Sequence, residues 1–144
     1  MIMDTTYILP LARIDVDTDL LKAIVEGRVK HRVDFHDLKV SLISIFELQA
    51  KGAKLGVPPG DVIKAVDVIF RAFEVIPFYR KDIVENAHKV RKLINDYIDC
   101  IVLATAISLD EDLITEDSLI LSMKEKIEKK FGIRVFCYRD LVKV

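Results

Sequence analysis

Four carboxylates stand where a short apolar run gives way to a predicted helix or loop: Asp4, Glu47, Asp99 and Asp117. The carboxyl ends of the strands in a parallel sheet meet at one edge, so this placement would bring the four side chains together. Converging carboxylates repel one another and raise each other's pKa unless a cation holds them. The pattern therefore predicts a site for a divalent metal ion.

Short apolar runs alternate with helical periodicity along most of the chain. Strands are predicted at about residues 2–4, 38–42, 74–77, 113–115 and 133–136. Helices are predicted at about residues 15–27, 44–55, 61–73, 82–94, 99–108 and 118–131, with a short helix near 7–9 and a loop at 28–37. This alternation is typical of an α/β fold in which helices cover both faces of a parallel sheet.

Length and composition limit the class of protein. A chain of 144 residues fits a single domain over residues 1–144 and can bury a core without disulfides. The net charge of -1 gives no overall basic field, so binding to nucleic acid would need a local basic patch. Cys100 and Cys137 are expected to be buried reduced thiols. Without a targeting segment or a long apolar run, we expect a soluble, cytoplasmic protein with no membrane contact.

Two of the four acids, Asp4 and Glu47, could instead act as helix-capping residues. Asp4 is also a suitable N-cap for the turn that contains Tyr7, because aspartate is a preferred capping residue. Glu47 closes the sequence Ser-Ile-Phe-Glu at residues 44–47, which matches the capping box in which a glutamate binds the backbone N–H of the cap. A carboxylate has two oxygens, so a cap can also be a metal ligand.

The other two acids open predicted helices and have the same alternative. Asp99 precedes an apolar helix, and Asp117 follows a strand in a stretch whose many acids exceed what helix ends can use. Asp96 lies one helical turn before Asp99 and is predicted to cap that helix, with a reserve role as a ligand. The three histidines have no nucleophile placed beside them, and no GxGxxG, P-loop or HExxH motif occurs.

Four motifs follow one another along the chain: Asp4-Thr5-Thr6, Ser-x-x-Glu-Leu at residues 44–48, Asp-x-Ile-Val-x-Ala-Thr-Ala at 99–106 and Leu-Ile-Thr-Glu-Asp at 113–117. Taken in this order, they resemble the PIN domain family of nucleases. The resemblance covers nearly the whole chain, and its most specific part runs from residue 99 to residue 117. It implies a three-layer αβα sandwich around a mainly parallel sheet of about five strands.

The resemblance also implies an activity and a set of site residues. Family members bind Mg²⁺ or Mn²⁺ and hydrolyse single-stranded RNA, often as a homodimer and often as the toxin of a VapBC-type pair with an antitoxin partner. The implied acidic positions are Asp4, Glu47, Asp99 and Asp117. The implied supporting hydroxyls are Thr6 for the first acid, Ser44 for the second and Thr115 for the orientation of the site.

A mechanism follows as a hypothesis. One or two hard cations would generate a nucleophilic water and offset the charge on the scissile phosphate. Asp4 and Asp99 are the expected direct ligands, Asp117 binds directly or through water, and Glu47 is a further ligand or positions the water. Basic residues from loops and helix ends are candidates for phosphate contacts: Arg13, Arg28, Lys30, Arg32, Arg80 and Lys81.

Two rival functions remain open at this point. A non-catalytic module for protein interaction or RNA binding would use the acids only as caps and surface charge. A metal-dependent phosphatase of the haloacid dehalogenase class also groups aspartates at sheet ends. That class needs Asp-x-Asp after the first strand, where this chain has Asp4-Thr5-Thr6.

Overall fold

Five short strands form one parallel sheet at the centre of the protein, in a computed structural model that describes residues 1–143. The strands are β1 (Ile2–Met3), β2 (Lys39–Ser41), β3 (Glu74–Ile76), β4 (Leu113–Ile114) and β5 (Val135–Phe136). Their order is β3-β2-β1-β4-β5, and each neighbouring pair is parallel. The strand nearest the start of the chain is therefore the central strand of the sheet.

Helices connect the strands. They are α1 (Leu20–Val25), α2 (Leu42–Leu55), α3 (Pro59–Ala72), α4 (Lys81–Val90), α5 (Tyr97–Leu109), α6 (Ser118–Ser122), α7 (Lys124–Phe131) and α8 (Tyr138–Leu141). Two 3-10 helices are also present, η1 (Thr5–Ala12) and η2 (Phe35–Asp37). Within residues 1–143, no helix has the length and apolar character needed to cross a membrane.

Two hydrophobic clusters lie on opposite faces of the sheet, because successive side chains of a strand alternate between its faces. Met3 and Ile114 belong to a cluster with η1, α1, α2, α3 and α8. Their strand neighbours Ile2 and Leu113 belong to the other cluster, with α4, α5, α6 and α7. The result is an αβα sandwich around an all-parallel sheet, which confirms the predicted fold class.

Several predicted helix boundaries were wrong. The helix predicted at residues 61–73 begins at Pro59, because a proline in the first turn has no N–H that the helix would use. The helix predicted at 15–27 is limited to α1, which Asp19 caps by accepting the Lys22 backbone N–H at 3.1 Å. The helix predicted at 118–131 is divided at Met123 into α6 and α7.

The packing of α2 against α3 sets the position of the helix that carries Glu47. Gly52 lies in the contact, and a Cβ atom placed there would be 2.9 Å from Cγ2 of Val62. Because real Cβ atoms do not approach so closely, a larger residue at this position would force the Val62 side chain or its helix to shift.

A crevice opens where the connections of the sheet diverge. From β1 the chain continues to β2 on one side, whereas β4 and β5 lie on the other side of β1. Open parallel sheets bind ligands at such a point, outside the carboxyl ends of the strands. Asp4 directly follows β1 and Thr115 directly follows β4, so both lie at this edge.

Candidate metal centre

The four predicted acids line one cleft at the carboxyl ends of β1 and β4. The cleft has a volume of about 280 Å³, and its lining residues are Asp4, Thr5, Thr6, Leu9, Glu47, Lys51, Asp99, Glu116 and Asp117. Five carboxylates thus face one lysine. This excess of negative charge makes the cleft a candidate site for a cation.

Both oxygens of Asp4 are engaged. Its Oδ1 accepts the backbone N–H of Thr5 at 2.7 Å, and its Oδ2 accepts the hydroxyl of Thr115 at 2.7 Å. Asp4 therefore caps η1, as the structural alternative predicted, while it also lines the cleft. Asp4 is thus a capping residue that also lines the cleft, and its role as a metal ligand stays a prediction.

Thr115 connects the acid after β1 to the acid after β4. Its buried hydroxyl donates to Asp4 and accepts the backbone N–H of Asp117 at 3.0 Å. Asp117 in turn caps α6, since its Oδ2 accepts the N–H of Ile120 at 2.8 Å. One hydroxyl thus holds the two acids in a fixed relation, which fits the orienting role that the resemblance implied for Thr115.

The capping-box alternative for Glu47 was wrong. Helix α2 begins at Leu42 and is capped by Ser41, whose hydroxyl accepts a backbone N–H at 3.3 Å. Ser44 therefore lies inside the helix and is fully buried. The hydroxyl of Thr5 donates to Oε1 of Glu47 at 2.5 Å and lies 2.9 Å from the hydroxyl oxygen of Ser44. Glu47 is thus oriented by η1 rather than by the start of its own helix.

Thr5, not Thr6, makes the hydroxyl contact with the second acid. Thr6 also lines the cleft, and its supporting role stays a prediction. Both threonines follow Asp4 in the sequence, so only the turn of η1 decides which one faces α2.

Asp96 caps α5 and leaves Asp99 in the first turn of that helix. Oδ1 of Asp96 accepts the N–H groups of Ile98 at 2.9 Å and Asp99 at 3.3 Å, which confirms the predicted cap. The helix therefore begins at Tyr97, two residues before the predicted start at residue 99. Because the cap is supplied by Asp96, the carboxylate of Asp99 is not needed there and lines the cleft.

Two charged residues of the cleft lining, Lys51 and Glu116, were not predicted. Lys51 lies one helical turn after Glu47 on α2, a spacing that the sequence does show. Glu116 accepts the hydroxyl of the fully buried Tyr7 and the backbone N–H of Tyr138 at 2.7 Å. These two contacts join residues far apart in the chain, so no local pattern could have revealed them.

Burial and mutual repulsion disfavour the charged forms of these acids. Burial is the main cause of the raised pKa of Asp4, and likewise of the raised pKa of Glu47. For Asp99, burial followed by the charges of Asp96 and Asp117 raises the pKa to about 7. Ionisation therefore destabilises the folded protein without metal, and a bound cation would offset that loss.

The chemistry of the donor set fits Mg²⁺ or Mn²⁺, which prefer oxygen ligands. The distances between the carboxylate oxygens of the cleft limit how many of them could bind one ion directly. Within residues 1–143, the group of three ligand atoms that lie within 4.8 Å of one another belongs to Asp34, His36 and Asp37, which lie at the start of η2 and within it and which we call the η2 cluster, and not to the cleft. In this arrangement at most two cleft acids would bind one ion directly and the others through water, as is common for Mg²⁺.

The four arginines predicted to contact RNA lie outside the cleft lining, each beside an acid. The pairs are Arg13–Asp61 at 3.9 Å, Arg28–Glu26 at 3.3 Å, Arg32–Asp34 at 3.5 Å and Arg80–Asp82 at 2.8 Å. Their role in RNA binding stays a prediction, and Lys51 is the basic residue that the structure places in the cleft.

We expect Asp99→Asn to stabilise the metal-free protein at neutral pH. The pKa of Asp99 is about 7 in the folded state and about 3.9 in an unfolded chain. The folded state therefore binds more protons between these values, and wild-type stability falls as the pH rises from about 4 to 7. The uncharged variant avoids this loss, worth about 1 kcal/mol once solvent screening of the half-buried group is considered.

Urea unfolding in EDTA across this pH range measures the effect. The free energies of unfolding of the wild type and Asp99→Asn should diverge as the pH rises. Asp15→Asn, at an exposed position, is the matched control and should follow the wild type. Parallel pH profiles for the wild type and Asp99→Asn would show that neither burial nor neighbouring charge disfavours the ionised form of Asp99 in the folded state.

The family profile of the PIN domain matches residues 1–126. The chain therefore belongs to the PIN domain family, whose members are generally nucleases, and the resemblance drawn from the motifs is confirmed. A search of curated proteins found no significant match.

Solved structures share the fold. FitAB bound to an IR36 DNA fragment is 15% identical, covers 96% of this chain and 95% of its own, and has a TM-score of 0.64. FitAcB from Neisseria gonorrhoeae is 16% identical, with coverages of 96% and 97% and a TM-score of 0.64. VapBC2 from Rickettsia felis, bound to a promoter DNA fragment, is 16% identical, with coverages of 94% and 96% and a TM-score of 0.62. At these identities the likeness is one of architecture.

Proposed function

We propose that the protein is a divalent-metal-dependent endoribonuclease that hydrolyses phosphodiester bonds of single-stranded RNA. The observation that carries this proposal is the cleft in which five carboxylates converge at the diverging point of the sheet. Membership of a family of nucleases supports it. Mg²⁺ or Mn²⁺ is the cofactor that this set of oxygen donors suits.

The residues of the cleft take separate roles in this proposal. Asp4 and Asp99 would be the two direct ligands of the ion. In the arrangement described above, Asp117 would bind it through water, and Glu47 would bind it through water or position the attacking water. When bound, the ion would offset charge on the scissile phosphate and lower the pKa of a bound water. Thr115 fixes the position of Asp4 relative to Asp117 through its two hydrogen bonds.

Thr5 and Ser44 supply the corresponding support for Glu47. The hydroxyl of Thr5 holds one carboxylate oxygen of Glu47, which leaves the other oxygen for an ion or a water. This contact fixes the side chain before substrate arrives, and preorganised groups avoid the cost of reorientation during the reaction.

We further propose that the protein is the toxin of a toxin–antitoxin pair, that it forms a homodimer and that it acts in the cytoplasm. The fold shared with the FitAB and VapBC2 complexes supports an antitoxin partner. An apolar groove of about 480 Å³ between η1, α1 and α3, which includes the 73%-exposed Val25, offers a surface for one. The unpaired thiols of Cys100 and Cys137 suit a reducing compartment.

Cleavage of a labelled single-stranded RNA tests the nuclease proposal. The purified protein should cut the RNA with Mg²⁺ or Mn²⁺ and leave it intact with EDTA. Binding without cleavage under all metal conditions would favour the alternative, a non-catalytic module that binds RNA or protein. Cleavage that persists in EDTA would point to a contaminant and would contradict the metal-dependent mechanism.

A further inference from the structure

A second, shallower groove runs along α2 directly beside the acid cleft. Its lining residues are Phe46, Glu47, Ala50, Lys51, Lys54 and Ile98, and we refer to it as the α2 groove. It shares Glu47 and Lys51 with the cleft, so the two depressions are continuous. The lining positions on α2 recur at intervals of three and four residues, which places them on one face of the helix.

The ring of Phe46 is exposed at this face. Its exposed fraction is 60%, whereas the adjacent Ile45 is buried at 5%. A phenyl ring left in water forgoes the hydrophobic stabilisation that burial would give it. Next to a candidate catalytic acid, the ring offers a flat apolar surface, and the bases of single-stranded nucleic acids stack on such rings with little sequence preference.

The two lysines of the groove differ in their surroundings, since Lys51 also lines the acid cleft whereas Lys54 does not. The ion pairs found among residues 1–143 include neither Lys51 nor Lys54. By contrast, the arginines first considered for RNA binding each have an acid beside them. Unpaired lysines at a groove that leads to the cleft suit the phosphates of a polyanion.

We propose that the α2 groove binds single-stranded RNA beside the bond to be cut, with a base stacked on Phe46 and neighbouring phosphates at Lys51 and Lys54. This inference rests on the proposed function, because the groove leads into the acid cleft. The combination of one exposed ring with two unpaired cations fits a single strand, whose bases are free to leave the stack. A duplex keeps its bases paired and cannot present one to the ring.

Binding can be measured separately from cleavage by fluorescence anisotropy in EDTA, with an end-labelled RNA of about 12 nucleotides. Phe46→Ala should weaken binding about tenfold, which is within the range for loss of one stacked base. Lys51→Gln and Lys54→Gln should each lower the slope of log affinity against log salt by about 0.7. A duplex of the same sequence should bind the wild type and Phe46→Ala equally.

Two matched variants lie outside the groove on α3. Phe70 is 54% exposed and Lys64 is exposed, and neither lines the α2 groove. Phe70→Ala should bind the single strand as the wild type does, and Lys64→Gln should keep the wild-type salt slope. All the substituted side chains lie at the surface, so the variants are expected to fold.

The outcomes of these measurements distinguish the assignment of the α2 groove from the nuclease proposal. Absence of RNA binding by the wild type, or equal affinity for Phe46→Ala and Phe70→Ala, would overturn the assignment of the groove. So would a Phe46→Ala variant that binds RNA normally but loses self-association in sedimentation, since the ring would then be a protein contact. RNA binding that depends on Phe46 in a protein that never cleaves with Mn²⁺ would overturn the nuclease proposal and leave the groove assignment in place.

Discussion

Asp4→Asn should lower the rate of RNA cleavage by about 10³-fold or more, because it removes a negative oxygen donor from the centre of the proposed metal site. The fold should be retained. Asparagine is an equally good N-cap, and its carbonyl oxygen can accept the Thr5 N–H that Oδ1 of Asp4 accepts now. Single-turnover cleavage with saturating Mn²⁺ measures the rate, and thermal unfolding checks the fold.

The control for this substitution is again Asp15→Asn, at an exposed position outside the cleft lining. It removes the same charge from the chain and should cleave at the wild-type rate. Full metal-dependent activity in Asp4→Asn would remove Asp4 from the site. Loss of activity accompanied by unfolding would instead show that the capping role of Asp4 dominates.

Mn²⁺ should stabilise the wild type strongly and Asp99→Asn only weakly. A ligand at about 100 times its Kd adds about 2.7 kcal/mol to the free energy of unfolding. For a domain of this size, that is a rise in Tm of about 10 °C. Burial and the neighbouring negative charges raise the pKa of Asp99 to about 7 and so disfavour its ionised form, and a cation bound there would offset both effects. Differential scanning fluorimetry over a Mn²⁺ titration gives both the size of the shift and the affinity.

The η2 cluster provides a control for this titration, because its three ligand atoms lie within 4.8 Å of one another at the surface. His36→Gln removes one of them and should leave the Mn²⁺ shift unchanged. An equal rise in Tm for the wild type and Asp99→Asn, combined with its loss in His36→Gln, would relocate the metal from the cleft to η2. No rise in any variant would leave the acids as caps and surface charge.

The architecture could be predicted from the sequence because buried segments have a clear periodicity of apolar residues. Helix α5 is apolar on all sides, and its residues from Cys100 to Ala106 are all buried between the sheet and α4. Short apolar runs that alternate with segments of helical periodicity likewise predicted the parallel sheet. Such patterns depend on the average environment of a segment, which neighbouring residues in the sequence share.

The hydrogen-bond partners within the site could not be predicted as well, because they depend on single contacts between segments that are distant in the sequence. At the start of α2 the local pattern favoured Ser44 as the cap, because Glu47 completes a capping box. The structure uses Ser41, since the partner of Ser44 and Glu47 is Thr5, on another segment. The choice between Thr5 and Thr6 likewise depended on the turn of η1.

The basic residues show the same limit. Arginines in loops and at helix ends suggest phosphate contacts, but the sequence does not show that Asp61 lies beside Arg13 in space. Lys51 has the i to i+4 relation to Glu47 that would have placed it in the cleft. Lys51 is not part of any sequence motif, so its place in the site became apparent only from the lining of the cleft.

The central position of β1 has a consequence for the growing polypeptide. This strand leaves the ribosome early, yet it pairs on one side with β4, which is synthesised much later. Asp4 and Asp117 are brought together through that pairing, so the cleft cannot assemble until translation has passed β4 and its partners have emerged. The proposed nuclease would therefore be inactive during its own synthesis, and its messenger RNA would not be exposed to a partly made copy with an assembled cleft.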